Sequence, residues 1–128
     1  MLAIVFQLYK FLIVGSVATG LHICVVGVLQ SFTSTPVIAS STIAFILASN
    51  FSFFANYKFT FASDNNFKIS FLRFFLVAFM CYIIHILTLL IFISLTPLST
   101  MGNVVFAAIF TALVSFMINK HWTFGSRS

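Results

Sequence analysis

Two stretches of this chain place an amide, cations and aromatic rings within one short run: Asn56-Tyr57-Lys58-Phe59-Thr60-Phe61 and Asn119-Lys120-His121-Trp122-Thr123-Phe124. A cation beside an amide donor suits a phosphate, which lysine binds as a point charge. An aromatic plane next to it suits the face of a sugar. Together, Asn56, Tyr57, Lys58, Asn119, Lys120, His121 and Trp122 could hold a headgroup that carries both. A plainer account also fits each residue. Snorkelling cations and interfacial aromatics mark the end of any membrane span, and Asn closes helices because it tolerates the left-handed cap conformation. The repeated order is what that account leaves unexplained.

Ser52 and Ser115 precede the two asparagines by one helical turn and share their face. His22 and His85 lie about 11 residues into apolar runs, which at about 1.5 Å per residue is near the middle of a bilayer. Ionisable groups at that depth face a bundle interior or a polar path. The alternative is a neutral histidine bonded between helices, worth about 1 kcal/mol.

The elements that must position these groups follow from composition. Of 128 residues 62% are hydrophobic and 5% charged, with Asp64 the sole acid, so no polar shell could cover a water-soluble globule. A spanning helix needs roughly 20 apolar residues, and four stretches qualify: about 11–31, 36–56, 71–94 and 102–122. The expected fold is all-α and integral to the membrane, a single domain of four transmembrane helices over residues 1–128. A short amino-terminal arm, two short polar loops (31–36 and 94–102), a longer loop (57–70) and a tail complete it. Lys10 ahead of the first apolar run resembles a secretory signal, but the third span is that run's counterpart and cannot be one. Cys24 and Cys81 fall inside spans without metal-ligand spacing, so they read as small apolar residues. No metal site or cofactor is expected.

Lys10, Lys58, Lys68, Arg73, Lys120 and Arg127 all lie before the first span, between the second and third, or after the fourth. This bias places both termini and the central loop in the cytoplasm. The net charge of +5 is then a topology signature with some attraction to anionic lipid, and nucleic acid is not an expected partner.

Sliding the chain against itself by 63 residues aligns the two stretches without a gap and pairs His22 with His85, Phe11 with Phe74 and Lys10 with Arg73. There are 14 identities over 63 pairs, where composition alone gives roughly five. The expected organisation is two parallel two-helix repeats, 1–63 and 64–126, related by a pseudo-two-fold along the membrane normal with a substrate path between them.

Absent chemistry narrows the function. No Asp or Glu falls inside a span, which removes the usual carboxylate of proton-coupled export and counts against a small multidrug exporter. No carboxylate pair, nucleophile triad or phosphate-cradling glycine loop is present, so a transporter is expected and not an enzyme.

The chain resembles the GtrA-like family of small four-helix membrane proteins from bacteria and their phages. The resemblance spans the full length and rests on "KFLIVGSVATGLHI", "FILASNFSFFANYKFTF" and the closing "FMINKHWTF". It departs at Ala18, where relatives carry Asn before the Thr. The family implies translocation of a polyprenyl-phosphate-linked sugar, often glucose, across the bacterial inner membrane for glycosylation of surface polysaccharide, with a functional link to glycosyltransferases. Its recurring positions fall on Gly15, Thr19, Asn50, Ser52, Asn56, Lys58, Thr60 and Phe61. Packed helices stand only about 8 to 10 Å apart, so four enclose little space and a lateral groove or homo-oligomer is expected. The rival reading is a membrane anchor that recruits a glycosyltransferase through the basic central loop without moving lipid.

Overall fold

The computed structural model describes residues 1–125; of Val37, Ile38, Thr100, Met101, Val104 and Val105 it describes the backbone alone. Arg127, one of the cations behind the expected topology, lies outside the described residues. Four α-helices follow one another: α1 (Leu2–Phe32), α2 (Val37–Ala55), α3 (Phe67–Leu95) and α4 (Thr100–Ile118). Among the described residues there is no strand. α2 and α4 each continue into a single widened turn of π-helix, Asn56–Thr60 and Asn119–Thr123.

The apolar runs become helices because inside a bilayer every backbone N–H and C=O must be satisfied within the segment. The breaks have local causes. At the end of α1, Thr33 turns extended, and both its N–H and its Oγ1 donate to the Leu29 carbonyl, at 3.0 and 2.5 Å. Pro36 then precedes α2, where a missing N–H costs nothing. α3 opens on Asn66, whose Oδ1 accepts from Ile69 N at 3.2 Å, and α4 on Ser99, whose Oγ accepts from Gly102 N at 3.1 Å. Each caps one of the orphan donors of a helix start.

Two differences from the expected spans have a physical reason. The amino-terminal arm is helix: α1 begins nine residues before the expected span, because Leu2 to Phe6 are themselves apolar. Lys10 does not mark a boundary, since its amine bonds the Phe59 carbonyl at 3.2 Å from within the helix. The long central loop contracts to residues 61–66, since its first residues form the π turn and its last ones the first turn of α3.

The chain divides into two compact units, Met1–Ser63 and Asp64–Ser128. In the first, α1 packs on α2 and the first π turn returns onto α1. Its core is Val14, Ala18, Ala44, Ala48 and Phe53, all buried. In the second, α3 packs on α4, with the second π turn against α3. Its core is Phe74, Val77, Cys81, Ala107, Phe116 and Phe124. Small residues at Ala44, Ala48 and Ala107 let the backbones approach, the usual basis of helix association where lipid removes the hydrophobic drive. α1 and α3 are long and apolar enough to cross a membrane, and most of their large apolar side chains are exposed.

Candidate functional site at the two π turns

The same contacts build both turns, 63 residues apart. Asn56 Nδ2 donates to Ser52 Oγ at 3.3 Å, and Asn119 Nδ2 to Ser115 Oγ at 3.2 Å. The i, i+4 pairing read from sequence is therefore a hydrogen bond in each unit. Both asparagines have right-handed backbone angles (φ −68° and −62°). They do not close the helices, as a cap would; they begin the π turn, which ends where Phe61 N bonds Asn56 O at 3.0 Å and Phe124 N bonds Asn119 O at 2.8 Å. A π turn inside an α-helix widens the backbone ring and frequently marks a functional site.

One N–H of each amide is therefore committed to a serine hydroxyl, which narrows the chemistry on offer. Asn56 and Asn119 are 1% exposed, Thr60 3% and Thr123 0%. Asn56 Oδ1, Thr60 Oγ1, Asn119 Oδ1 and Thr123 Oγ1 have no hydrogen-bond partner, nor does Ser70 Oγ. Most buried polar groups find a partner, so each turn presents an unmet acceptor and an unmet hydroxyl. A free Oδ1 asks for a donor such as a hydroxyl or a water; it cannot take a phosphate oxygen.

The cations divide differently from the sequence expectation. Lys58 and His121 are exposed, and Lys58 makes no contact among the described residues. Lys120 lies 5.9 Å from the Phe116 ring centre, and Tyr57 lies against Phe53 with ring centres 5.8 Å apart and planes tilted by 37°. Two cations from the opposite helices meet the turns instead. Lys10 Nζ donates to Phe59 O at 3.2 Å and sits 4.6 Å from that residue's ring. Arg73 Nη1 donates to Trp122 O at 2.9 Å, its guanidinium 5.4 Å from the indole. Lys10 and Arg73 are repeat partners, as are Phe59 and Trp122. Phe11 on Phe61 (6.2 Å) and Phe74 on Phe124 (6.1 Å) complete the match. Sequence reasoning had these cations only as topology markers; the signal for more was that they align with each other across the repeat.

The remaining candidates lie elsewhere. His22 and His85 are half-buried in α1 and α3 and form no hydrogen bond among the described residues. Thr19 is exposed and bonds back to Gly15 O at 2.9 Å, and Asn50 Nδ2 bonds Ile46 O at 2.7 Å. Gly15 has open space where a side chain would begin. The described residues contain no cluster of His, Cys, Asp or Glu able to hold a metal.

Residues 10–124 match the family model described as GtrA/DPMS, transmembrane domain. The chain belongs to the GtrA/DPMS transmembrane-domain family. The match begins at Lys10 and ends at Phe124, so it includes both helix-to-turn cation contacts and both π turns. GtrA/DPMS membership makes the chain a membrane protein of lipid-linked sugar metabolism. No curated protein and no solved structure matches it.

Proposed function

We propose that the protein moves a polyprenyl-phosphate-linked sugar, glucose or a similar monosaccharide, from the cytoplasmic to the outer leaflet of a bacterial inner membrane for glycosylation of surface polysaccharide. In this reading the two units are a duplicated two-helix element, and all four helices cross the bilayer. Both termini and both π turns face the cytoplasm, as the cation distribution favours. The observation that supports it is the pair of π turns. Each carries a buried amide oxygen and a threonine hydroxyl without partners, beside a cation lodged on an aromatic ring. Sugar hydroxyls supply the donors such oxygens lack, and the guanidinium of Arg73 suits the phosphate. The polyprenyl tail stays in lipid, against the exposed apolar faces of α1 and α3.

The protein acts by binding and release, without covalent chemistry, and assembles as a homo-oligomer. A chain whose one acid is Asp64 has no intramembrane carboxylate to couple transport to protons. Exchange is then bidirectional, with net direction set by a glycosyltransferase that consumes the sugar donor. Purified protein in liposomes should accelerate leaflet exchange of a fluorescent polyprenyl-phosphate glucose; rates equal to protein-free vesicles would overturn the proposal.

One observation favours the recruiting anchor as a second reading: Lys58 and Lys68 are exposed and uncommitted. Replacing both His22 and His85 by Leu abolishes exchange in a translocator whose path uses them and leaves an anchor intact. Charge reversal at Lys58 and Lys68 does the opposite.

A further inference from the structure

The two cation contacts are not equivalent, and in the second unit a cavity lies beside the cation. In the first unit Lys10 Nζ lies between two rings, 4.7 Å from Phe6 and 4.6 Å from Phe59, with its proton on the Phe59 carbonyl. The repeat partner of Phe6 is Ile69, and those of Leu2 and Ala3 are Asn65 and Asn66. The second ring is therefore gone, and two amides stand where two apolar side chains stood. What results is a cavity of about 210 Å³ lined by Asn65, Asn66, Ile69 and Arg73.

Arg73 is poorly satisfied for a half-buried guanidinium. Of its five N–H groups, the Trp122 carbonyl takes one. Asp64, the sole acid of the chain, forms no ion pair with it among the described residues. Asn66 uses its Oδ1 to cap Ile69 N and leaves its Nδ2 free. Asn65 Nδ2 is taken by the Gly125 carbonyl at 2.6 Å, so the donors this lining offers are those of Arg73 and Asn66, and none of its four residues is an anion. Arg is the side chain whose planar fork best matches phosphate, and at a membrane surface an unpaired guanidinium attracts one strongly.

We propose that this cavity holds the phosphate of a lipid-linked sugar, so that the phosphate is read by the second unit only. The inference rests on the function proposed above and divides the headgroup's chemistry: Arg73 with Asn66 takes the phosphate, and the unmet oxygens of a π turn take hydroxyls. Ring-enclosed Lys10 serves the first unit as a staple.

The test uses the full chain in nanodiscs of phosphatidylcholine, titrated with a fluorescent short-chain polyprenyl-phosphate glucose. Arg73→Gln should weaken binding about tenfold or more, and Lys10→Gln should leave it near wild type. Ile69→Phe restores the missing ring while keeping Arg73 and its bond to Trp122; it should also weaken binding, and it stands in if Arg73→Gln does not fold. Wild-type affinity in both second-unit variants, or equal loss in Lys10→Gln, overturns the assignment. Competition by soluble glucose 1-phosphate supports a site that reads sugar-phosphate without the tail; competition by the polyprenyl form alone supports one that needs both. Equal competition by phosphatidylglycerol overturns it in favour of a general phosphodiester site. Binding that depends on Arg73 without leaflet exchange would uphold the site and reject the transport function. Exchange that survives Arg73→Gln and Ile69→Phe unchanged would do the reverse.

Discussion

Individual atoms carry the clearest tests. Thr60 and Thr123 bury hydroxyls that bond nothing, and an unmet hydroxyl costs about 1 to 3 kcal/mol by mutational measures. Thr60→Val and Thr123→Val keep the shape and remove the cost, so each should raise the midpoint of thermal unfolding in detergent. A fall would mean that a water or ligand bonds these oxygens. If the hydroxyls serve the sugar, the same variants should slow exchange while gaining stability. Ala62 is a second case. Its φ of 44° lies in the left-handed region, which costs a residue with a Cβ about 1 to 2 kcal/mol. Its repeat partner is Gly125, so Ala62→Gly should stabilise the first unit by about 1 kcal/mol. Gly125 has a different reason to be glycine: a Cβ there would meet the His121 carbonyl at 2.6 Å. Gly125→Ala should therefore destabilise the second π turn, seen as a lower unfolding midpoint.

Helices and turns show what could and could not be read from sequence. The helices were legible because apolar runs of that length have few other fates, and the breaks near Thr33 to Pro36 and Thr96 to Ser99 carry their own turn and cap residues. The start of α1 was not legible. Lys10 looks like a boundary in a hydropathy profile, and only the fold shows its amine reaching a carbonyl 49 residues away. The π turns were invisible too, since one extra residue in a helical turn leaves no periodic trace, although the residues forming them were singled out. The serine–asparagine pairing was legible from spacing, whereas the sense of its hydrogen bond, which commits one amide N–H, was not. If the cation contacts hold the turns in place, Lys10→Met should speed amide hydrogen exchange at residues 57–61 and leave α2 unchanged. Ser99→Ala removes the cap of α4 and should cost about 1 kcal/mol, measured by thermal unfolding.

For the molecule as a whole, the cation distribution makes a claim about sidedness. In a background free of Cys24 and Cys81, a membrane-impermeant thiol reagent added to intact cells should label Ser34→Cys and not Asp64→Cys; the reverse pattern would invert the topology. The turn contacts recur at an interval of 63 residues because Ser52, Asn56 and Phe61 are each repeated 63 positions on, as Ser115, Asn119 and Phe124. The cavity beside Arg73 was hidden for the complementary reason: it arises from three positions where the repeats disagree. Helix length has a further consequence. α1 has 31 residues and α3 has 29, against 19 each for α2 and α4. At about 1.5 Å per residue the long pair measure about 44 to 46 Å, well beyond a hydrocarbon layer about 30 Å thick, whereas α2 and α4, each carried on by its π turn, come close to that thickness. Where they cross it, the long helices must therefore tilt or emerge from the lipid. Tilt varies with the thickness of the lipid, so α1 and α3 carry a built-in measure of it. In vesicles of longer acyl chains their tilt from the membrane normal should decrease, as read by oriented infrared dichroism.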